Sequence, residues 1–301
     1  MFLTGKIKMD ELKIRDKLTE LGFIIKRFNT KKWNRCSTVH NPNKKNGWYV
    51  VNSFGVNYGD WNNCIEQGFF WNDDFNQKTE IEKIKIMEEQ REIQKILEVE
   101  EKKARILEVN GTYHICKSIT ELHPYLVKKQ CRNQIDFRLD NKNRLVIPMY
   151  NVDKVLCGYQ YIDAEGKKMF KSGSICKGAF YPIKPSQLKI EDLDVIYLCE
   201  GYATADSIYQ ALNNEFTSFQ YGVLACFSAS NIDNVANALT DIYPRFNIIA
   251  IQDQDEAGVS CKTNGFTVGI TKGEDANDIF IKFGGETLAR LIHEKTKYIF
   301  G

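Results

Sequence analysis

The chain has 301 residues, 43% of them hydrophobic, and a formal net charge of +2, which leaves room for two domains at the usual roughly 100–200 residues each. No apolar run approaches the roughly 20 residues of a bilayer span, and Met1-Phe2-Leu3-Thr4-Gly5-Lys6 lacks the apolar core of a signal peptide, so a cytoplasmic protein without membrane contact is expected. The nine cysteines include no C-x-x-C pair, so neither a zinc ribbon nor a disulfide framework is signalled, and Cys157, Cys199 and Cys226 read most simply as small core residues.

Residues 10–21 read as a short helix with Leu12, Ile14, Leu18 and Leu21 at its apolar positions and Gly22 as its stop. Gly47-Trp48-Tyr49-Val50-Val51 and Gly55-Val56-Asn57-Tyr58-Gly59-Asp60-Trp61 form a hairpin of aromatic strands. Together they predict a small aromatic-rich α+β domain over 1–78. Trp48, Trp61 and Trp71 either fill its thin core or offer a stacking platform for unpaired bases. From 79 to 110 the composition turns to Glu, Lys, Ile and Gln. Ile81, Ile84, Met87, Ile96, Leu97, Ile106 and Leu107 repeat at helical spacing, so this is a helical linker or, more sharply, a coiled coil.

Residues 111–189 carry 14 Lys/Arg against 6 Asp/Glu. Arg144-Leu145-Val146-Ile147-Pro148-Met149-Tyr150 and Val155-Leu156-Cys157-Gly158-Tyr159-Gln160-Tyr161 are hairpin strands about an Asn151–Lys154 turn. Lys167, Lys168, Lys171 and Lys177 follow, interrupted by Gly173 and Gly178. Lysines beside glycines let an ammonium and a backbone approach a phosphate together; the plainer reading is a loop kept soluble by lysine.

Residues 191–301 reverse the charge, with 7 Lys/Arg against 16 Asp/Glu. Strands at 195–198, 221–225 and 246–251 alternate with helices at 203–213 and 231–241, and a helix from Ala257 and a strand at 266–270 follow. Such alternation predicts a parallel sheet flanked by helices. The first strand ends in Glu200-Gly201 and the third in Asp253-x-Asp255. Ligands bind at the carboxyl ends of parallel strands. The period of two turns Asp253 and Asp255 the same way, as a clamp for Mg²⁺. Asp275 and Asp278 make a further acidic turn. A basic half beside an acidic half suits one surface for nucleic-acid or nucleotide phosphate and one site that needs cations before phosphate can enter.

With these residues in place the chain resembles Toprim-domain proteins, and among them the DnaG-type primases, especially the plasmid and phage versions of the TraC kind. Glu200-Gly201, Asp253-x-Asp255 and the Asp275…Asp278 turn carry the Toprim likeness. Asn143-Arg144-Leu145-Val146-Ile147-Pro148, Gly158-Tyr159-Gln160 and Phe170-Lys171…Cys176-Lys177-Gly178 resemble the basic subdomain ahead of it. Gly47-Trp48-Tyr49-Val50 with Tyr58-Gly59-Asp60-Trp61 is similar to the leading domain of plasmid and phage primases. The fold implied is α/β within a multidomain α+β chain: a leading domain to 78, a helical linker over 79–110, a basic nucleotide- and template-binding subdomain over 111–190, and a Toprim catalytic domain over 191–301.

The resemblance implies a DNA primase, a nucleotidyltransferase that copies single-stranded DNA into short RNA primers from NTPs with Mg²⁺ or Mn²⁺. Asp253 and Asp255 would be the principal metal ligands and Asp275 or Asp278 further ones, while Glu200 is either a ligand or the general base. Arg144, Lys168, Lys171, Lys177 and Gly178 would contact triphosphate and template. Tyr161 and Phe170 either stack on a base or belong to the core. Cys36, His40 and Cys64 lack the spacing of a zinc module, and no P-loop is present, so a replicative helicase or other replication protein is expected in trans. Two alternatives share these residues: a Toprim nuclease cutting an existing phosphodiester, and a non-catalytic regulator that binds single strands.

Overall fold

The computed structural model describes residues 11–30, 34–51, 55–60, 65–70, 80–213, 220–253, 263, 265–269 and 273–300. Two compact units divide the chain, Met1–Glu98 and Val99–Gly301.

In the first unit, helix α1 (Glu11–Glu20) buries Ile14 and Leu18, one turn apart. The other two residues expected on that face, Leu12 and Leu21, are exposed. Leu12 is two residues from Ile14 and therefore on the opposite side, and Leu21 follows the last helical residue, where Gly22 turns the chain at φ +89°. The antiparallel strands β1 (Phe23–Ile24), β2 (Asn34–Thr38), β3 (Gly47–Val51), β4 (Gly55–Asp60) and β5 (Ile65–Phe70) pair in chain order. The expected hairpin is β3–β4, with Tyr49 opposite Tyr58; its turn is outside the described residues. Phe23, Tyr49, Val56 and Tyr58 close the core over Ile14 and Leu18. Trp48 is buried, and Trp61 and Trp71 are outside the described residues.

Helix α2 (Glu80–Ile115) is 36 residues long and runs through Gly111, past the linker end expected at 110. Val109 and Tyr113 pack one turn apart against Val146, Leu156 and Tyr159, and Asn110 donates to the Leu156 carbonyl at 2.8 Å. That packing outweighs the roughly 1 kcal/mol cost of a glycine inside a helix. Ile96, Leu97 and Leu107 are exposed, whereas Ile106 rests on the core.

The second unit contains two five-stranded sheets. One is antiparallel in the order β10-β9-β8-β7-β6, from β6 (Lys117–Ser118), β7 (Arg138–Leu139), β8 (Leu145–Tyr150), β9 (Leu156–Ile162) and β10 (Lys168–Phe170), with the short helix α3 (Pro124–Lys128) between β6 and β7. The predicted hairpin is β8–β9, with Lys154 at φ +63° in its turn.

The other sheet has the order β11-β13-β12-β14-β15, from β11 (Tyr181–Ile183), β12 (Val195–Cys199), β13 (Tyr221–Ala225), β14 (Asn247–Gln252) and β15 (Gly265–Thr267). Only β11 is antiparallel. Its Tyr-Pro-Ile comes from the stretch assigned upstream; three residues with a proline are too short to show a period, and the edge is where a strand proline is tolerated. The expected strand at 266–270 is the shorter β15, and the helix expected from Ala257 is outside the described residues. Helices α4 (Tyr202–Asn213), α5 (Ala229–Ile242), α6 (Ala276–Phe283) and α7 (Gly285–Phe300) cover the sheet. The last two have no counterpart in the sequence reading.

Side chains of the central strands are buried on both faces, and alternate residues pack against different helical layers. Tyr197, Cys199, Ile249 and Ile251 pack with Ile208, Ile279, Leu288 and Ile292 of α4, α6 and α7. Ile196, Leu198, Leu224 and Ala250 pack with Ile232, Val235 and Leu239 of α5. The sheet is therefore α/β, with a helical layer on each face. From β12 the chain crosses through α4 to β13 on one side, then through α5 to β14 on the other. The crossovers diverge between β12 and β14, and a crevice opens beyond their carboxyl ends at such a switch point.

Candidate active site at the carboxyl ends of the parallel strands

Glu200 follows β12 directly and Asp253 follows β14 directly. These strands are parallel neighbours with Leu198 level with Ala250. Continuing that register puts Glu200 level with Gln252 and one residue short of Asp253, on strands about 4.8 Å apart. Both residues are partly buried. The Cys199 thiol lies well above its ordinary value, pushed up first by complete burial and then by the charges of Cys226, Asp253, Asp275 and Glu200.

Asp275 caps helix α6. Its Oδ1 accepts from the Asp278 amide at 2.8 Å, and Asp278 Oδ2 accepts in return from the Asp275 amide at 3.3 Å. This reciprocal capping box satisfies N–H groups that a helix start leaves open. Asp275 Oδ2 accepts from Thr204 Oγ1 at 3.2 Å, while Asp278 Oδ1 lies 3.9 Å from Lys129 Nζ. The acidic turn thus has a folding role at the rim of the crevice, and Asp275 is the member that also neighbours Cys199.

Asp255 is outside the described residues, and among those described no three His, Cys, Asp or Glu side chains stand together tightly enough to hold a metal ion. Glu200 and Asp253 at the strand ends and Asp275 at the rim offer hard carboxylate oxygens. Cys199, a soft donor next to Glu200 in the chain, is wholly buried and directs its thiol to the Gly201 and Leu224 carbonyls. This donor chemistry fits a hard divalent cation rather than zinc or copper.

The basic residues divide. Lys168, on β10, reaches over the crevice: its Nζ is 3.4 Å from the point where a Cβ on Gly201 would stand. With Lys128, Lys129, Thr204 and Asp275 it lines a cleft of about 210 Å³ beside Gly201. The first-turn amides of α4 belong to this rim, and a helix N-terminus favours anions. Lys177 is exposed. Lys171 is held 3.1 Å from Glu108. Gly178, at φ +72°, donates its amide to Asn231 Oδ1 at 2.8 Å, so that N–H is already spent inside the fold.

Arg144 is committed to its neighbours. Its guanidinium grips Asp140 Oδ2 through Nε at 2.9 Å and Nη2 at 2.6 Å and lies over the Tyr161 ring, 3.8 Å from its centroid. Burial raises the Asp140 carboxyl, but hydrogen bonds from Arg144 and from the Arg144 and Lys142 amides, with the Arg144 charge, bring it below its ordinary value. Tyr161 therefore stacks on an arginine. Phe170 is 41% exposed and meets Phe227 edge-on at 6.4 Å.

Sequence reasoning missed Lys128, Lys129 and Thr204. Pro124, favourable at the start of a helix, and the Lys128-Lys129 pair at its end mark α3, but nothing local tells that this helix end faces Gly201.

No protein-family model matches the chain. Among solved structures it is similar to the primase fragment of the bacteriophage T7 primase-helicase protein, at 14% identity and a TM-score of 0.39 over 53% of this chain and 66% of that one. It is likewise similar to a DnaG primase catalytic domain bound to ssDNA, at 12% identity and a TM-score of 0.46 over 65% and 80%. The zinc-binding and RNA polymerase domains of the Aquifex aeolicus primase match at 14% identity and a TM-score of 0.42, over 93% of this chain and 82% of that one. The chain thus spans just under two thirds of the phage fragment.

Proposed function

We propose that this protein is a DNA primase: a nucleotidyltransferase that copies single-stranded DNA into short RNA primers from NTPs. The observation that carries the reading is that Glu200 and Asp253 each directly follow one of two neighbouring parallel strands, with a lysine-lined cleft opening beside Gly201. Carboxylates alone suit any phosphoryl chemistry. A cationic pocket at their edge suits a reaction whose substrate brings a triphosphate of its own.

In that reaction the 3′-hydroxyl oxygen bonds to the α-phosphorus of the incoming nucleotide, the bond from that phosphorus to the β-phosphate oxygen breaks, and pyrophosphate leaves. Glu200, Asp253 and Asp255, with Asp275 and Asp278 at the rim, would hold Mg²⁺ or Mn²⁺, which neutralises charge on the phosphates and acidifies the attacking hydroxyl. Lys168, Lys128 and Lys129 would hold the triphosphate as point charges, and Thr204 would present its hydroxyl at the same rim. Where it is not a metal ligand, Glu200 would accept the hydroxyl proton. The exposed Lys177 would serve the template backbone, with Lys171 and Arg144 as further cations. A helicase that opens the template would be a partner in this reaction.

The test incubates the full chain with single-stranded DNA, labelled NTPs and Mg²⁺ or Mn²⁺, beside Glu200→Gln and Asp253→Asn, and resolves products on a denaturing gel. Template-dependent labelled oligomers that vanish in both variants are the expected result. Shortened DNA with no synthesis would replace this reading with a nuclease, and strand binding with no reaction would replace it with a regulator.

A further inference from the structure

We infer that Asp206 is a positioning residue for the phosphate cleft, acting through the backbone strap 129–135 that sets the Lys129 ammonium; the inference rests on the primase reading for what fills the cleft. Asp206 sits in α4 and is completely buried. Its Oδ2 accepts from the Arg132 amide at 3.0 Å and from Gln210 Nε2 at 2.5 Å, and its Oδ1 accepts from the Asn133 amide at 2.8 Å and Asn133 Nδ2 at 2.7 Å. All four donors are neutral. A carboxylate taken out of water without a cation is costly, and an apolar residue of similar size would pack there more cheaply. What the carboxylate supplies is two acceptor oxygens for consecutive N–H groups of an irregular segment.

The rest of the strap is latched in the same manner. Asn277 Nδ2 donates to the Lys129 carbonyl at 2.9 Å and Gln210 Nε2 to the Gln130 carbonyl at 2.9 Å. Tyr202 donates to the Asn133 carbonyl at 2.6 Å and Tyr181 to the Ile135 carbonyl at 2.8 Å. Side chains of the parallel-sheet layer therefore hold the carbonyls of 129, 130, 133 and 135 and the amides of 132 and 133. Gln130, near the start of the strap, is at φ +54°, and Asp136, just past its end, is at φ +64°. Such angles are uncommon for residues with a Cβ and persist where surrounding bonds impose them.

The strap starts at Lys129, which lines the cleft and stands 3.9 Å from Asp278. Asp206 lies on the buried side of α4 and takes no part in the cleft lining, so its influence on a bound phosphate passes through the strap. The Lys129 stem is flexible, and a backbone anchor that fixes its origin reduces what binding must order.

The test is a double-mutant cycle on the full chain with ATP as the probe, reading ATP affinity, primer-synthesis KM and kcat, and thermal unfolding. Asp206→Asn turns one acceptor into a donor facing a backbone N–H, and Lys129→Ala removes the ammonium. Each is expected to weaken ATP binding and raise KM about tenfold with kcat within about twofold, the double variant being no worse than either single one, as for residues acting through one contact. Effects that multiply, or a lowered unfolding temperature with ATP affinity unchanged, would overturn the inference and leave the primase reading standing. If Asp206→Asn fails to fold, Gln210→Ala loosens the same latch from a partly exposed position. It must weaken ATP binding in the wild-type background and not in Lys129→Ala, or the inference falls. ATP binding without primer synthesis would remove the primase reading while the binding cycle still decides the role of Asp206. A wild-type chain that binds no ATP would overturn the inference outright.

Discussion

Thr204 Oγ1 donates to Asp275 Oδ2 at 3.2 Å and so ties the first turn of α4, next to Glu200, to the N-cap of α6. Asp275 thereby has two separable duties. As a cap it needs an oxygen acceptor, and as a carboxylate at the rim it needs a charge. Asp275→Asn keeps the first, because Asn caps as well as Asp, and loses the second. Asp275→Ala loses both and should cost about 1 kcal/mol of stability, while Asp275→Asn stays within about 0.5 kcal/mol of wild type. Denaturant titrations of the two variants check this, and primer synthesis should fall in both. Equal stability losses would show that the cap contributes nothing.

The bond between Arg144 and Asp140 sets an acid limb in the stability curve. The folded-state carboxyl lies below its ordinary value of 3.8, so its contribution is present above that value and lost as pH falls through the lower folded one. Arg144→Ala breaks a largely buried pair and strips the stack on Tyr161, and at neutral pH it should cost about 2 kcal/mol. Arg144→Lys should recover only part of this, since an ammonium lacks the planar fork. Urea unfolding at pH 7 and pH 3 should show the gap between wild type and Arg144→Ala narrowing at the lower pH. A gap that widens would assign the acid sensitivity to other carboxyls.

Lys168 and Lys177 are expected to fail in different ways. Lys168 stands over Gly201 at the cleft, so Lys168→Ala should raise the KM for NTP about tenfold and leave the salt dependence of single-strand binding unchanged. Lys177 is exposed, and Lys177→Ala should reduce the slope of log affinity against log salt for single-stranded DNA by about 0.7, one phosphate contact's worth. Salt titrations of strand binding, run beside NTP kinetics, separate the two. A changed slope in Lys168→Ala would move that lysine from the nucleotide to the template.

Much of the parallel sheet was legible because its strands are short apolar runs that end at acids within the same local window. Val195–Cys199 before Glu200 and Asn247–Gln252 before Asp253 each announce both the strand and the group at its end. The cleft was not legible, since Lys128 and Lys129 meet Gly201 only through the packing of α3 and the strap against α4, and no spacing in the chain encodes that approach. Asp275 and Asp278 were read for their charge, although an acid three residues after a capping acid is also a helix-start pattern. Arg144 was read as a phosphate ligand from the resemblance of its strand to the basic subdomain. Asp140, four residues earlier across a tight turn, was the local sign that it already had a partner. Tertiary burial decides such cases, and a single sequence shows charge more readily than it shows neighbours.

Gly111 tests the one boundary that the helix itself redrew. Were Gly111 a stop after a linker ending at 110, its freedom at positive φ would be needed there and alanine would be tolerated poorly. In the structure it lies inside α2, exposed, with nothing within 4 Å of the place a Cβ would occupy. Alanine there adds no clash and lowers the entropy of the unfolded chain, so Gly111→Ala should stabilise the second unit by about 0.5–1 kcal/mol. The gain should appear as a higher urea midpoint with an unchanged slope, because the surface exposed on unfolding is nearly the same. Destabilisation by a similar amount would restore the break at 110 and detach the Val109 and Tyr113 packing from a continuous helix.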